Sequence, residues 1–148
     1  MRPGREKLCM SDRAFLDTNV LVYLFDQDSP EKKRRAREIL SAEAPQAVIS
    51  TQVLQEFYVS VTRKLGRPLP EADAEAAVRD LAHLDVHTVD VEMVVSAVAR
   101  SRKDRLSLWD SLVVETALRA GCRRLLTEDM QDGQVFGVLR VENPFAGH

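Results

Sequence analysis

Cysteine is scarce in this chain, and so are long apolar runs. Cys9 and Cys122 are the two cysteines in 148 residues, so we expect free thiols rather than a disulfide framework or a metal–thiolate site. The longest unbroken apolar run, residues 20–25, is far too short to cross a bilayer. Residues 1–7 lack the apolar core of a secretory signal. These absences predict a cytoplasmic protein without a membrane span.

Several catalytic signatures are missing as well. The chain has no glycine-rich phosphate loop and no Gly-x-Ser-x-Gly motif of a nucleophilic serine. Its three histidines, His83, His87 and His148, lack the spacing of zinc ligands. The net charge of −2 does not by itself indicate a nucleic-acid-binding protein.

What the chain does have is short apolar runs alternating with amphipathic stretches. Its length and its 45% content of hydrophobic residues suit one compact domain. Residues 1–13 are polar and aperiodic, so we predict a flexible leader, with Met10 as an alternative start, before a single domain at 14–148. We predict strands at residues 14–16, 47–50, 86–89, 123–127 and 135–141. We predict helices at about residues 30–42, 71–84, 91–102 and 108–120. Two further helices are predicted with one bound each, one that ends at residue 25 and one that begins at residue 51. This alternation predicts an α/β fold with a parallel sheet covered by helices on both faces.

Four acidic residues stand at the edges of apolar runs in separate segments: Asp17, Glu56, Asp110 and Asp129. Carboxylates that are brought together repel one another and lose hydration, so such a cluster persists when a hard divalent cation such as Mg²⁺ or Mn²⁺ neutralises it. Asp17 and Asp129 follow predicted strands, at the edge where parallel sheets bind ligands. Removing the four carboxylates, each of charge −1, from the net charge of −2 leaves +2, so a metal-filled site would permit RNA or DNA as a partner.

Asp110 gives the strongest argument from a single residue. At 100° per residue it shares one face of its predicted helix with Val113, Val114 and Ala117. An unpaired charge near the centre of a buried face costs several kcal/mol, so Asp110 needs a partner. A buried salt bridge or the dipole at the start of the helix is the alternative to a metal. The residues predicted to point the other way are Ser111, Glu115 and Arg119.

The other three acids also have ordinary interpretations. Asp17 suits the cap of the helix that follows it, and Glu56 taken alone is a solvated surface residue. Asp129 lies in a turn sequence, where Glu128 or Asp132 is an alternative fourth acid. The prediction of a site therefore depends on the set of four.

Two basic clusters lie in predicted helical segments. The cluster at residues 32–37 is interpreted as a solvated helix face, with contact to nucleic acid as the alternative. The cluster at residues 100–105 immediately precedes the Asp110 helix, where it would contact phosphates beside a metal.

The motifs that carry the acids resemble, in this order, those of PIN-domain nucleases, particularly VapC-like toxins of type II toxin–antitoxin systems. They are Leu-Asp-Thr-Asn-Val at 16–20, Gln-Glu-Phe at 55–57, Trp-Asp-Ser-Leu at 109–112 and Leu-Thr-Glu-Asp at 126–129. The resemblance covers about residues 14–145. It implies a three-layer α/β/α sandwich with a mainly parallel central sheet, a Mg²⁺- or Mn²⁺-dependent endoribonuclease acting on RNA, an inhibitory antitoxin partner and a homodimer.

By position, the resemblance also assigns the site residues. Asp17, Glu56, Asp110 and Asp129 match the metal-binding acids, and Asn19 and Thr127 match polar residues that orient those acids and the attacking water. Three other functions stay open: a PIN-type nuclease of RNA processing, a catalytically silent domain that binds RNA or protein, and an aspartyl phosphatase. The phosphatase ranks last because its mechanism generally needs a second acid two positions after the first, where this chain has Asn19.

Overall fold

The computed structural model of the chain describes residues 12–147. Within them lies one sheet of six strands: β1 (Ala14–Leu16), β2 (Val48–Ser50), β3 (Asp85–His87), β4 (Arg124–Leu126), β5 (Val135–Phe136) and β6 (Leu139–Glu142). Their order across the sheet is β3-β2-β1-β4-β6-β5, and every pairing is parallel except that of β5 with β6. The predicted mainly parallel sheet is therefore confirmed. Cys9, Met10, His148 and nearly all of the predicted leader lie outside the described residues.

Helices cover both faces of this sheet. Between residues 12 and 147 they are α1 (Thr18–Val22), a 3₁₀ helix (Tyr23–Phe25), α2 (Pro30–Glu43), α3 (Thr51–Arg63), α4 (Glu71–Leu81), α5 (Val91–Asp104) and α6 (Leu108–Arg119). α5 packs along α6, and α3 packs against both α1 and α4. The predicted three-layer α/β/α arrangement is confirmed. None of these helices has the length and apolar composition needed to cross a membrane.

The core is centred on β1 and β2. All three residues of each strand are buried, as expected for parallel strands that are covered on both faces. Phe15 lies opposite Val48 on one side and opposite Leu125 on the other. Together with Ile49 and Phe57 it is among the largest fully buried side chains, so β1 is enclosed by large apolar side chains up to the point where it leads to Asp17.

Side-chain caps fix the start of two helices near that end of the sheet. The Ser50 hydroxyl accepts a hydrogen bond from the Val53 amide, and the Ser107 hydroxyl accepts one from the Asp110 amide. Each bond satisfies an amide that the first helical turn leaves without a backbone partner. Ser29, which precedes α2, makes no such bond, and a proline in the first turn marks that helix start instead.

The prediction of a single strand at residues 135–141 is wrong. The segment is a hairpin in which β5 runs antiparallel to β6, with Val135 opposite Arg140. Gly137 lies in the turn at a φ of +62°, a conformation that glycine adopts without a steric penalty. Several other bounds also shift, and the larger shifts include α4, which ends at Leu81 rather than at residue 84, and β3, which ends at His87 rather than at residue 89.

The predicted orientation of α6 is wrong for Ser111, which is fully buried. α6 packs against α5 on one side and against β2 and β6 on another, so most of its surface is covered. A helical projection that assumes one buried apolar face does not describe a helix that is enclosed in this way. Asp110 is half-buried at the start of the helix, rather than at the centre of a buried stripe, and Glu115 is half-buried, while Arg119 is exposed as predicted.

Candidate metal centre

The candidate centre forms where β1 and β4 end side by side. Leu16 is opposite Leu126 in the parallel register, and the Asp17 amide donates to the Leu126 carbonyl at 3.0 Å. Asp17 and Thr127 therefore follow their strands at the same level of the sheet. The Thr127 hydroxyl donates to Asp17 Oδ2 at 2.8 Å, and the Thr18 amide donates to Oδ1 at 2.8 Å. These bonds hold a carboxylate whose residue is only 5% exposed.

Asn19 links this strand end to Asp129. Its Nδ2 donates to Asp129 Oδ2 at 2.9 Å and to Thr127 Oγ1 at 3.2 Å. The Asp129 amide donates to the same hydroxyl at 3.1 Å, and the Glu128 amide donates to Asn19 Oδ1 at 3.3 Å. Asn19 and Thr127 thus orient Asp17 and Asp129 relative to each other.

Glu56 reaches the same edge of the sheet from α3. The Thr18 hydroxyl donates to Glu56 Oε1 at 3.0 Å, and Gln52 Nε2 donates to Oε2 at 3.4 Å. The same amide nitrogen also donates to the Trp109 carbonyl at 3.3 Å. Because Trp109 precedes Asp110, the buried Gln52 connects Glu56 to the start of α6. Glu56 is half-buried and hydrogen-bonded, so it is not a freely solvated surface residue.

Asp110 completes the group from the first turn of α6. Burial raises the pKa of its carboxyl, and the charges of Asp129 and Glu56 raise it further. The Ser107 hydroxyl, which binds the Asp110 amide at 3.0 Å, acts in the opposite direction. Among residues 12–147 no lysine, arginine or histidine forms an ion pair with Asp110, which removes the buried salt bridge as an explanation for it.

The pKa of Asp17 shows how strongly these charges interact. It is raised from 3.8 to about 6, mainly by burial and further by the charges of Asp129 and Glu56, while the two hydrogen bonds that the carboxylate accepts oppose the rise. The ionised form is therefore destabilised in a way that a nearby cation would relieve. Because Asp129 and Glu56 act on both Asp17 and Asp110, carboxylates from four segments lie near enough to influence one another's ionisation.

Of the three acids that follow β4, Asp129 is the one directed toward Asp17. Glu128 turns to the other side, where Lys32 Nζ binds its Oε2 at 3.0 Å and the Tyr23 hydroxyl donates to its Oε1. Asp132 Oδ1 accepts a hydrogen bond at 2.8 Å from a backbone amide that follows β6. Both alternatives are thus engaged away from the cluster.

The donor set suits a hard divalent cation that keeps part of its water shell. Within the part of the chain that the structure describes, no three His, Cys, Asp or Glu side chains lie close enough together to enclose an ion. Mg²⁺ does not require such a cage, since it retains several waters and binds through one or two carboxylates. A buried, destabilised carboxylate at Asp17 with Asp110, Glu56 and Asp129 around it fits that mode, with direct contacts to some acids and water-mediated contacts to others.

A cavity of about 590 Å³ opens beside these acids, between α1 and α3. Asn19, Glu56 and Asp129 line it at one end, and its lining continues along α3 past Val59 to Lys64. Glu56 and Asp129 are therefore open to a ligand on this side, whereas Asp17 is almost completely enclosed and neither it nor Asp110 lines the cavity.

Thr18 and Gln52 belong to this network, although the motif pattern did not indicate them. The Thr18 hydroxyl binds Glu56. Gln52 lies four residues before Glu56 in α3, so the two share one helix face. An amide and a carboxylate at this spacing form a recognised helical pair, and that spacing is the signal that would identify Gln52.

Some residues of the two basic clusters already bind other groups of the protein. Lys32 binds Glu128, and Arg35 Nε donates to the Pro144 carbonyl at 3.0 Å, whereas Arg34 and Arg37, which belong to the predicted solvated face, are exposed. Arg100 binds Glu115 and Asp104, which takes it out of the proposed phosphate-binding group. The remaining basic residues of the second cluster, Arg102, Lys103 and Arg105, are exposed.

Fold and side chains together define a class of protein: a small α/β domain that gathers acidic side chains at the carboxyl edge of a mainly parallel sheet. A family model described as the PIN domain matches residues 14–131. The chain belongs to the PIN domain family, whose members are nucleases that generally use divalent cations.

Solved structures with the same fold support the assignment of the architecture. A toxin–antitoxin complex from Klebsiella pneumoniae matches with a TM-score of 0.69 and 23% identity, over 89% of this chain and 98% of that chain. The Mycobacterium tuberculosis toxin VapC20, described as cleaving the sarcin–ricin loop, matches with a TM-score of 0.61 and 20% identity, over 76% of this chain and 86% of that chain. DNA-bound VapBC from Salmonella typhimurium matches with a TM-score of 0.63 and 19% identity, over 90% and 98%. No curated protein matches the chain.

Proposed function

We propose that this protein is a metal-dependent endoribonuclease that hydrolyses RNA phosphodiester bonds and acts as the toxin of a toxin–antitoxin pair. The observation that carries the proposal is the convergence of Asp17, Glu56, Asp110 and Asp129 from four segments, with the pKa of the buried Asp17 raised to about 6. Structural carboxylates are normally paired with cations, whereas none of these four forms an ion pair within residues 12–147, and Glu56 and Asp129 line an open cavity.

Each residue has a separate task in this proposal. Asp17 and Asp110 are the main metal ligands, and Glu56 and Asp129 complete the acidic cup directly or through water. Asn19 and Thr127 hold Asp17 and Asp129 in position and orient the attacking water. A bound Mg²⁺ or Mn²⁺ would lower the pKa of a water molecule and stabilise the negative charge that develops on the phosphate. Attack of that water on phosphorus would break the bond to the 3′ oxygen, which leaves as a 3′ hydroxyl with a proton from the water, and the other fragment would keep a 5′ phosphate.

The remaining parts of the proposal concern substrate and partners. RNA fits an open cavity with acids at one end and Lys64 at the other, since a lysine supplies a point charge for the backbone phosphate. The toxin–antitoxin structures that share this fold motivate an antitoxin partner. We further propose that the protein is cytoplasmic and forms a homodimer.

Cleavage of single-stranded RNA by the purified protein tests the enzymatic part. Asp17→Asn and Asp110→Asn should abolish cleavage in Mg²⁺ or Mn²⁺, because each removes a main ligand, and both should stay folded by circular dichroism. Asp80→Asn, an identical change at an exposed residue of α4, is the matched control and should keep full activity. Full activity in either site variant would refute the residue assignment. A failure of the wild type to bind Mn²⁺ in calorimetry would favour a catalytically silent domain.

Growth on induction tests the biological part. Expression of the soluble wild type in a bacterial host should arrest growth, whereas Asp17→Asn at equal protein level should not. Mapping RNA ends soon after induction, again against Asp17→Asn, would identify the cleaved RNA. Cleavage in vitro without growth arrest would contradict the toxin role and favour a nuclease of RNA processing.

A further inference from the structure

Trp109 is the one exposed aromatic residue between residues 12 and 147. Its exposed fraction is 60%, whereas the tyrosines and phenylalanines of this range are buried or half-buried. Tryptophan is highly buried on average in folded proteins, since its large ring carries much apolar surface. Within the same range no other aromatic ring packs on the indole and no cation lies over it. Much of the ring is therefore free to contact another molecule.

The indole lies beside the candidate metal centre. Trp109 is in the first turn of α6, directly before Asp110 and two residues after the capping Ser107. Its carbonyl accepts a hydrogen bond from Gln52 Nε2 at 3.3 Å, and the same nitrogen binds Glu56. Helical side chains lean toward the helix N-terminus, so the indole leans from this anchored turn toward the loop between α5 and α6. It does not line the cavity between α1 and α3, so it would contact a different part of a substrate.

That loop and the end of α5 carry exposed cations. Within residues 12–147 the side chains of Arg102, Lys103 and Arg105 form no ion pair, and all three are exposed. Arg105 has a φ of +56°, and no other non-glycine residue of this range has a positive φ. Glycine would adopt this left-handed conformation without the steric penalty that a Cβ brings. A long basic side chain is retained where the backbone opposes it, which favours a function for its charge.

We propose that Trp109 is a stacking platform for one nucleobase of the RNA whose phosphodiester lies at the metal centre, and that Arg105 contacts a neighbouring phosphate. The inference rests on the proposed function, because it takes RNA as the substrate. Aromatic side chains bind unpaired bases by stacking, and basic side chains beside them bind the backbone without reading its sequence. Three cations without acidic partners next to the indole favour a polyanion over a protein surface as the molecule that covers it.

Fluorescence tests the stacking directly, since Trp109 is the single tryptophan of the 148 residues. A single-stranded oligoribonucleotide, added in chelator so that it is not cleaved, should quench the indole emission as it binds. Anisotropy of a labelled RNA measures the binding independently. An oligomer of equal length without bases is the matched ligand, which should displace the labelled RNA through its phosphates and leave the emission unchanged. RNA binding without quenching would overturn the stacking, whereas no RNA binding at all, with or without metal, would contradict the proposed function on which it rests.

Substitution separates base stacking from packing. Trp109→Leu keeps an apolar side chain but no aromatic ring, so it should weaken RNA binding and raise KM by about tenfold. The metal ligands are unchanged, so kcat should change by less than about twofold. Trp109→Phe retains a ring face and should recover most of the affinity. Val138→Ala, which truncates an exposed side chain in the β5–β6 turn, is the control and should bind RNA as the wild type does.

Two results would overturn the role of Trp109. One is equal RNA affinity in the wild type and Trp109→Leu. The other is a change in the mass of Trp109→Leu in sedimentation equilibrium, because that change would show that another copy of the chain, rather than a base, covers the indole.

Arg105→Gly tests the phosphate contact through two effects that packing alone would not combine. The urea midpoint of unfolding should hold or rise, because the left-handed backbone is relieved of strain. RNA binding should nevertheless weaken, and the slope of its logarithm against the logarithm of salt concentration should become shallower by about 0.7, the value for one phosphate contact on a single strand. Arg105→Lys keeps the charge and is the matched control, with the wild-type slope. An unchanged slope in Arg105→Gly would overturn the contact.

Discussion

At the scale of single residues, the ionisation of Asp17 couples the candidate site to the stability of the fold. Its pKa is about 6 in the folded protein against an ordinary value of 3.8, so the folded state binds the proton more tightly than the unfolded chain. The stability that this group contributes is then fully present below about pH 3.8 and is lost as the pH rises through about 6. A shift of about two units corresponds to about 3 kcal/mol.

Asp17→Asn should remove this pH dependence. Without divalent metal, the free energy of unfolding of the wild type should fall by about 3 kcal/mol more than that of the variant between acid and neutral pH. Urea titrations of both proteins across this range measure the difference, in which the titrating groups that do not interact with Asp17 cancel. Asp80→Asn should keep the wild-type slope. Equal slopes for the wild type and Asp17→Asn would show that Asp17 is not destabilised by ionisation.

A second prediction at the scale of single residues concerns the hydrogen bonds of the Thr127 hydroxyl. It donates to Asp17 Oδ2 and accepts from Asn19 Nδ2 and the Asp129 amide, so Thr127→Val removes three hydrogen bonds with little change in volume. We expect a loss of about 2 kcal/mol, and a larger loss at neutral than at acid pH because the pKa of Asp17 rises further. Thr62→Val is the control, since that hydroxyl binds only carbonyls of its own helix. A loss that is independent of pH would contradict the link to Asp17.

The sequence pattern predicts the location of an acid that follows the end of a strand. It does not predict the location of an acid whose role depends on the direction of its side chain. Asp17 follows a buried apolar strand, and such strands end at one edge of a parallel sheet, so its location is readable from the sequence. The choice between Glu128 and Asp129 is not, because it depends on Lys32 and Tyr23, which bind Glu128 from a distant helical segment. Glu56 is similar, since its partner Thr18 is distant in the chain.

At the scale of secondary-structure elements, local sequence signals predict where a helix begins better than they predict which of its faces is buried. Helices begin where a capping or first-turn residue marks them, as Ser50 and Ser107 do. The exposure of α6 was mispredicted at Ser111 because it depends on two separate packing partners, which are encoded elsewhere in the chain. The β5–β6 hairpin was not predicted because Gly137 is a single turn signal within an otherwise continuous strand pattern.

Gly137 tests the account of that hairpin. Its φ of +62° disfavours any residue with a Cβ, while a Cβ built there would meet nothing within 4 Å, so backbone strain is the whole cost. Gly137→Ala should therefore lower the free energy of unfolding by about 1 kcal/mol. Gly137→Asn should lower it less, because asparagine tolerates the left-handed conformation. Equal losses for both variants in urea titrations would contradict this explanation.

At the scale of the whole molecule, the fold stabilises an arrangement of charges that is unfavourable by itself. The acids come from the junction of β1 and α1, from α3, from α6 and from the loop after β4, so they come together only when the sheet and helices have assembled. A cation that binds this cluster binds the folded state and not the unfolded chain. Folding and metal binding are therefore linked, and the metal stabilises the protein in proportion to the logarithm of its concentration.

The last prediction uses this linkage to identify the ligands without measuring catalysis. Addition of Mg²⁺ or Mn²⁺ at about 100 times its dissociation constant should raise the free energy of unfolding of the wild type by about 2.7 kcal/mol at neutral pH. The effect should fade as the pH drops below about 6, because protons then compete for Asp17, and it should vanish in Asp17→Asn and Asp110→Asn. Glu128→Gln alters a neighbouring acid that binds Lys32 instead, so it should retain the full response to metal. Thermal or urea unfolding with metal and with chelator measures all four proteins, and an equal response in Asp17→Asn and the wild type would place the metal somewhere other than the four converging acids.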